Sequence, residues 1–216
     1  MMAKRIDRRT AILTASAACF ARYGYAKTTL DDIGRAAQLN KASLYYYFTG
    51  KDELFIAVVL HESNTFMVSL VERVRHLATP AEQVRYYIIE RLHYYRLVLH
   101  QHQIPLAVLQ ALEPRFDQLY ADVLEREVAF LAELLTPLFP AAPASTLPEP
   151  RQLARLLLST ADALKHEAVR QRTVRQTLAL PNFSATEADT LLLTNLILAS
   201  IAAPHLHHLP TYSPPR

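Results

Sequence analysis

Cysteine is almost missing from this chain of 216 residues: Cys19 is the single one, so no internal disulfide can staple the fold. Flanked by Ala18 and Phe20, it reads as a buried structural thiol, and a cytoplasmic home is expected. Glycine is nearly as scarce, with Gly24, Gly34 and Gly50 as the whole complement, and none stands in a Gly-rich phosphate loop. Proline is absent before Pro80, yet thirteen follow from there on, which marks a change of architecture along the chain. No uninterrupted apolar run approaches the ~18 residues of a membrane span. The basic start, Lys4, Arg5, Arg8 and Arg9, leads into a helix interrupted by Arg22 rather than into an apolar leader, so neither export nor membrane insertion is expected. Strand alternation, internal repeats, a nucleophile beside a positioned base and a recognised metal-ligand spacing are all missing. No cofactor and no enzymatic activity are expected.

What is present is a large apolar fraction, 51%, and an uneven charge. The net charge of +3 conceals nine Lys/Arg against three Asp/Glu in residues 1–51, and fourteen against seventeen afterwards. A basic head on a mildly acidic body is the electrostatic footprint of a nucleic-acid reader with a second domain of another purpose. The basic N-terminus would add phosphate or minor-groove contacts as an arm.

The segment Thr28 to Lys51, TTLDDIGRAAQLNKASLYYYFTGK, reads as a helix-turn-helix. Thr29 is an N-cap whose hydroxyl accepts from the backbone near Asp32, and Asp31 and Asp32 suit the positive end of the helix that follows. Leu30, Ile33 and Ala37 recur at helical spacing on its inner face, while Arg35 and Gln38 fall outside. Asn40 caps the next helix, leaving Gln38 to Asn40 for the turn, with Leu39 packing inward. In that second helix Leu44 and Phe48 are four apart and anchor one side. Lys41, Ala42, Ser43, Tyr45 and Tyr46 then point wholly or partly outward, bringing a cation, a hydroxyl and phenol rings to phosphates, base edges or a thymine methyl. Lys51, after Gly50, would grip the DNA backbone from the side. An ordinary helical hairpin with core tyrosines would produce the same local pattern.

These first fifty residues resemble the DNA-binding domain of the TetR/AcrR family of transcriptional regulators. The likeness rests on Arg9, Ile12, Leu13, Ala15, Phe20 and Gly24, then Thr28-Thr29, Ile33 and Ala36-Ala37, then Leu44-Tyr45, Tyr47-Phe48, Lys51 and Leu54. It covers about the first quarter of the chain. Gln38 stands where the family usually has Gly, Asn40 where it has Ser or Thr, and Ala42 where it often has Gly. Asp31 occupies a place where some members present a base-reading side chain; an acid there repels phosphate, and no such role is carried over to it. The resemblance implies DNA contacts from Thr28, Thr29, Lys41, Ala42, Ser43, Tyr45, Tyr46 and Lys51.

Along the chain, helices are expected over about 7–23, 30–37, 41–47 and 51–77, with the last of these leading out of the head. Thr79-Pro80 with Glu82 opens a helix of about 80–102. Pro105 and Pro114 bracket a short helix, an apolar stripe from Phe116 runs to about Phe139, Pro140–Pro150 is a loop, and two long helices span about 150–179 and 185–203. The fold class is therefore all-α, about nine helices. Residues 1–51 form the helix-turn-helix head, 52–204 the larger helical domain and 205–216 a flexible tail.

Helix 80–102 is apolar or aromatic almost all round. Tyr87, Glu90, Tyr94 and Gln101 share one sector with His93 beside it, so they could line a mainly apolar pocket; satisfied core tyrosines explain the same letters. His205, His207 and His208, and His100 with His102, lack the partners of a metal site. The resemblance implies a ligand cavity within 80–179, a homodimer through the last two helices, and release of a palindromic operator when a small-molecule effector shifts helix 51–77. A ligand-independent or activating regulator, and an enzyme using His93 with Glu90 or Tyr94, remain as alternatives.

Overall fold

A computed structural model describes residues 2–140, 148–174 and 183–202. Among them all regular structure is helical: α1 Met2–Lys27, α2 Leu30–Ala36, α3 Lys41–Tyr45, α4 Lys51–Arg75, α5 Pro80–Gln101, α6 Leu106–Leu135 with a 3-10 turn at Thr136–Leu138, α7 Pro150–Val174 and α8 Ser184–Ala202. The expected loop after Pro140 lies mostly outside the described residues. So do the final turn of the 150–179 helix, and the tail with His205, His207 and His208.

The chain divides into two compact units. One gathers Met1–Val71, His93–Asp122 and Val169–Pro181; the other gathers Glu72–Leu92, Val123–Ala168 and Asn182–Arg216. This division does not follow a boundary at residue 51, and the packing of the first unit shows why. Phe20 of α1 meets Tyr25 at 5.9 Å, Phe55 of α4 at 5.1 Å and His102 after α5 at 6.4 Å between ring centroids. The head's core is thus completed by residues from beyond it. His102 is buried, its Nε2 lies 2.7 Å from Glu62 Oε2, and its carbonyl accepts from the Tyr25 N–H at 2.8 Å.

Helix α1 breaks at Gly24, with φ 75° and ψ 160°, a conformation that L side chains avoid. The turn there brings Tyr25 inward. Its hydroxyl donates to Asp52, and its ring lies 4.5 Å from the Lys51 ammonium. Cys19 is buried in the same wall, where burial, and after it the nearby Asp32, push its thiol above the usual range.

In the second unit the described core is mostly aliphatic, joined by Tyr87 and Phe183, and it encloses a charged cluster. Arg91 of α5 grips Glu127 of α6 through Nε at 2.7 Å and Nη2 at 3.0 Å, and reaches Asp162 of α7 at 3.5 Å. Lys165 closes on Asp162 at 2.9 Å, and the Tyr87 hydroxyl donates to Glu127 at 3.2 Å. Burial alone would raise the Asp162 carboxyl, yet Arg91, Lys165 and His166 together hold it well below the usual range.

One expected break is absent. Pro114 lies inside α6, which runs from Leu106 without the boundary that two prolines suggested. A proline in a helix removes one N–H and crowds the preceding turn. The buried residues on either side of it, Leu112, Val128, Leu131 and Leu135, outweigh that cost. By length and average hydropathy α4 and α8 would also suffice to cross a membrane. Both bury residues inside the protein instead: Leu54, Phe55, Ile56 and Val58 on α4, and Thr190, Thr194, Leu198 and Ile201 on α8.

Candidate nucleic-acid interface

The head's outer surface is set by two capped short helices. At the start of α2 the Asp32 N–H donates to Thr29 Oγ1 at 3.2 Å, while the Thr29 N–H returns to Asp32 Oδ2 at 3.0 Å, a reciprocal capping box. At the start of α3 the Ser43 N–H donates to Asn40 Oδ1 at 2.8 Å. Both caps stand where the sequence placed them, because each is a three-residue signal that needs no distant partner.

The turn between the helices is tight. The Leu39 N–H donates to the Gly34 carbonyl at 2.8 Å, and a Cβ on Gly34 would lie 2.8 Å from the Leu39 carbonyl oxygen. Only glycine permits that approach. Gln38 takes the left-handed conformation, φ 55°, which costs a residue with a Cβ about 1–2 kcal/mol. Gln38→Gly is therefore expected to stabilise the head by up to about 1 kcal/mol, after the extra chain entropy of glycine is subtracted. A thermal melt showing a lower Tm for that variant would contradict this account of the turn.

With the turn fixed, α3 buries Leu44 and, just after it, Phe48, and turns its other side outward. Tyr46 is 68% exposed and Tyr45 51%; Lys41 and Ala42 are exposed and Ser43 is half-buried. The rings of Tyr46 and Tyr47 meet edge to face at 5.2 Å, which orients the more exposed phenol. Arg9 of α1 lies over the Phe48 ring at 5.1 Å, adding a cation beside the same helix.

Two residues expected to touch DNA are otherwise engaged. Thr28 is 1% exposed, and its hydroxyl donates into the end of α1, to the Gly24 carbonyl at 2.7 Å and the Cys19 carbonyl at 3.2 Å. Its side chain closes a helix end and cannot reach a phosphate. Lys51 turns back as well: its ammonium donates to the carbonyls of Tyr25 at 3.0 Å, Thr28 at 3.2 Å and Ala26 at 3.5 Å. It satisfies the last acceptors of α1, as a cation at a helix C-terminus does. Thr29 remains at the surface with its hydroxyl proton given to Asp32 at 2.6 Å.

The residues expected to line a pocket all lie on α5, Tyr87 and Glu90 in the part that packs in one unit and His93, Tyr94 and Gln101 in the part that packs in the other. Tyr87 is spent on Glu127, Glu90 lies 2.9 Å from the Arg73 guanidinium, and Gln101 is exposed. Tyr94 differs: its ring stacks on Phe66 at 4.2 Å, and its buried hydroxyl has no hydrogen-bond partner among the described residues. Among the described residues no His/Cys/Asp/Glu group has the makings of a metal site.

Residues 12–58 match the family model described as "Bacterial regulatory proteins, tetR family". Over 50 residues the chain is 40% identical to an uncharacterized HTH-type transcriptional regulator, YhgD, of Bacillus subtilis (strain 168), covering 23% of this chain and 26% of that protein. Over 138 residues it is 26% identical to a protein of Escherichia coli (strain K12) named "Probable acrEF/envCD operon repressor", covering 62% of this chain and 61% of the other. The chain thus matches about a quarter of the length of the first relative and about three fifths of the second. The crystal structure of a transcriptional regulator from Cytophaga hutchinsonii has the same fold, with a TM-score of 0.64 at 20% identity over 89% of this chain and 95% of that one. The capped pair α2 and α3, the turn at Gly34 and the matched stretch around them agree: residues 12–58 form a DNA-binding head of the kind found in the tetR family of bacterial regulatory proteins.

Proposed function

We propose that the chain is a DNA-binding repressor that works as a homodimer and releases a palindromic operator when a small, largely apolar effector binds. The carrying observation is α3 itself, held by Asn40, anchored by Leu44 and Phe48, and presenting Tyr45 and Tyr46 to solvent. Large exposed phenols on a basic head suit a major groove, where their hydroxyls meet phosphate and their rings meet thymine methyl groups. The contact set becomes Lys41, Ala42, Ser43, Tyr45 and Tyr46, with Thr29 at its margin.

Pairing of copies is supported by α7 and α8. Leu156 on α7 and Leu191, Leu192 and Leu196 on α8 are exposed, whereas Leu153, Leu157, Thr194 and Leu198 on the same helices are buried. An apolar surface of this kind suits a second copy of the chain, and two heads reading half-sites ~34–36 Å apart match a two-fold operator. For the effector, the unpartnered Tyr94 hydroxyl beside Phe66 offers one hydrogen bond within aromatic surroundings. Release would follow if effector binding favours a placement of the heads that no longer fits successive grooves, by several kcal/mol.

The test is fluorescence anisotropy of the full chain on labelled duplex from the DNA flanking its own gene, beside a scrambled duplex at the same salt. Binding confined to the flanking duplex supports the reading, and Tyr46→Ala is expected to weaken it about tenfold or more while light scattering still reports a dimer. Equal affinity of Tyr46→Ala and the parent chain would remove α3 as the reading element.

A further inference from the structure

The first turn of α2 carries two neighbouring acids with different fates. Asp32 is consumed inside the head: it holds the Thr29 cap and also accepts from Arg35. Asp31 faces outward, its side chain 62% exposed, and its Oδ2 lies 3.5 Å from the Lys41 ammonium at the start of α3. An acid on a DNA-facing surface is unfavourable unless something offsets its repulsion from phosphate. Here the offset is Lys41, at ion-pair distance and itself half-exposed.

The pairing changes what both groups can contact. A carboxylate accepts hydrogen bonds and donates none; phosphate oxygens do the same, so Asp31 has no bond to make with the DNA backbone. Its partners in a major groove are amino groups, and the ammonium beside it can only donate, which suits guanine O6 and N7. A C·G base pair presents that combination on one edge, a cytosine N4 amino group next to the guanine acceptors. An A·T pair also offers an amino group, but it sets a thymine methyl against a charged pair. The two side chains are also close to neutral together, so they add little to counterion release.

Resting on the DNA-binding reading above, we infer that Asp31 and Lys41 act as one unit that reads a C·G base pair in each half-site, with Asp31 accepting from the cytosine amino group. Asp31 is then a specificity residue. Its carboxylate also keeps Lys41 from binding phosphates indiscriminately.

The experiment is selection from a random duplex pool by the full chain, by Asp31→Ala and by Asp31→Asn, followed by affinity measurements over a range of salt. The parent chain is expected to enrich C·G at one symmetry-related position. Asp31→Ala loses about tenfold of preference at that position alone, and its binding to unselected duplex rises with a log–log salt slope steeper by about 0.9, because Lys41 is freed for one phosphate. Asp31→Asn moves the preference there toward adenine, which an amide meets with both a donor and an acceptor. A surface acid with no role in reading would yield the same preferred sequence in all three proteins, and that result overturns the inference while leaving DNA binding intact. A parent chain that enriches no sequence overturns the DNA reading itself, and this inference with it. Both variants alter an exposed side chain, and equal melting temperatures with the parent establish that changes in preference are not loss of fold.

Discussion

Phe20→Ala is expected to cost about 3–5 kcal/mol and to abolish operator binding, the larger of the two effects expected on the head's architecture. Phe20 is fully buried, and its ring touches residues from three elements: Tyr25 at the end of α1, Phe55 on α4 and His102 after α5. Truncation removes the burial of the ring and leaves a cavity that these rings cannot collapse to fill, since Tyr25 is tied to Asp52 and His102 to Glu62. Urea unfolding followed by circular dichroism reads the loss; Phe20→Leu, which keeps much of the volume, should cost far less. A loss under about 1 kcal/mol for the alanine variant would mean that the aromatic cluster is not what holds the head.

A comparable effect is expected in the other unit from Arg91→Met, also about 3–5 kcal/mol. The Glu127 side chain is 2% exposed, and Arg91 supplies two hydrogen bonds to it as well as the opposing charge. Without the guanidinium the Glu127 carboxylate stays buried and loses the cation that grips it. Replacing both partners, Arg91→Met with Glu127→Leu, should restore most of the stability, because the cost lies in an uncompensated charge rather than in the loss of the pair. The sign with pH follows from Asp162. Its carboxyl is held below the ordinary aspartate value, so its contribution is complete above that value and is lost as pH falls through it toward the folded-state value. Arg91 is the leading cation in that effect, so Arg91→Met should lose less stability to Asp162 protonation than the parent chain: the loss starts at the same ordinary aspartate value and is complete at a higher pH. Parallel stability-against-pH curves for the two proteins below that value would refute it.

The parts of this protein that could be read from the sequence are those governed by neighbours in sequence. Thr29 and Asn40 announce their caps within three residues, the spacing of Leu44 and Phe48 sets the buried side of α3, and Gln38 falls in the turn. Thr28 and Lys51 are engaged within the head for a common reason. Each looks like a surface polar residue, but both serve the last carbonyls of α1, and for Lys51 that partner lies 26 residues away. Helix α5 was legible as a helix and opaque as a site. Apolar nearly all round, it gives no periodic clue to which residues meet which neighbours: Tyr87 and Tyr94 share a sector, yet one donates to Glu127 and the other stacks on Phe66. Pro114 shows the converse, a strong local signal overruled by buried residues on both sides.

Cys19 gives the head a built-in reporter. It is the single thiol of the chain, buried on α1 and less readily ionised than a free one, so an alkylating reagent in solution meets it chiefly when α1 opens. The rate at which one equivalent of label is taken up therefore times the opening of a single element, with no engineered probe and no competing site. Slower uptake in the presence of duplex would measure, in free energy, how firmly bound DNA clamps the helix that carries it.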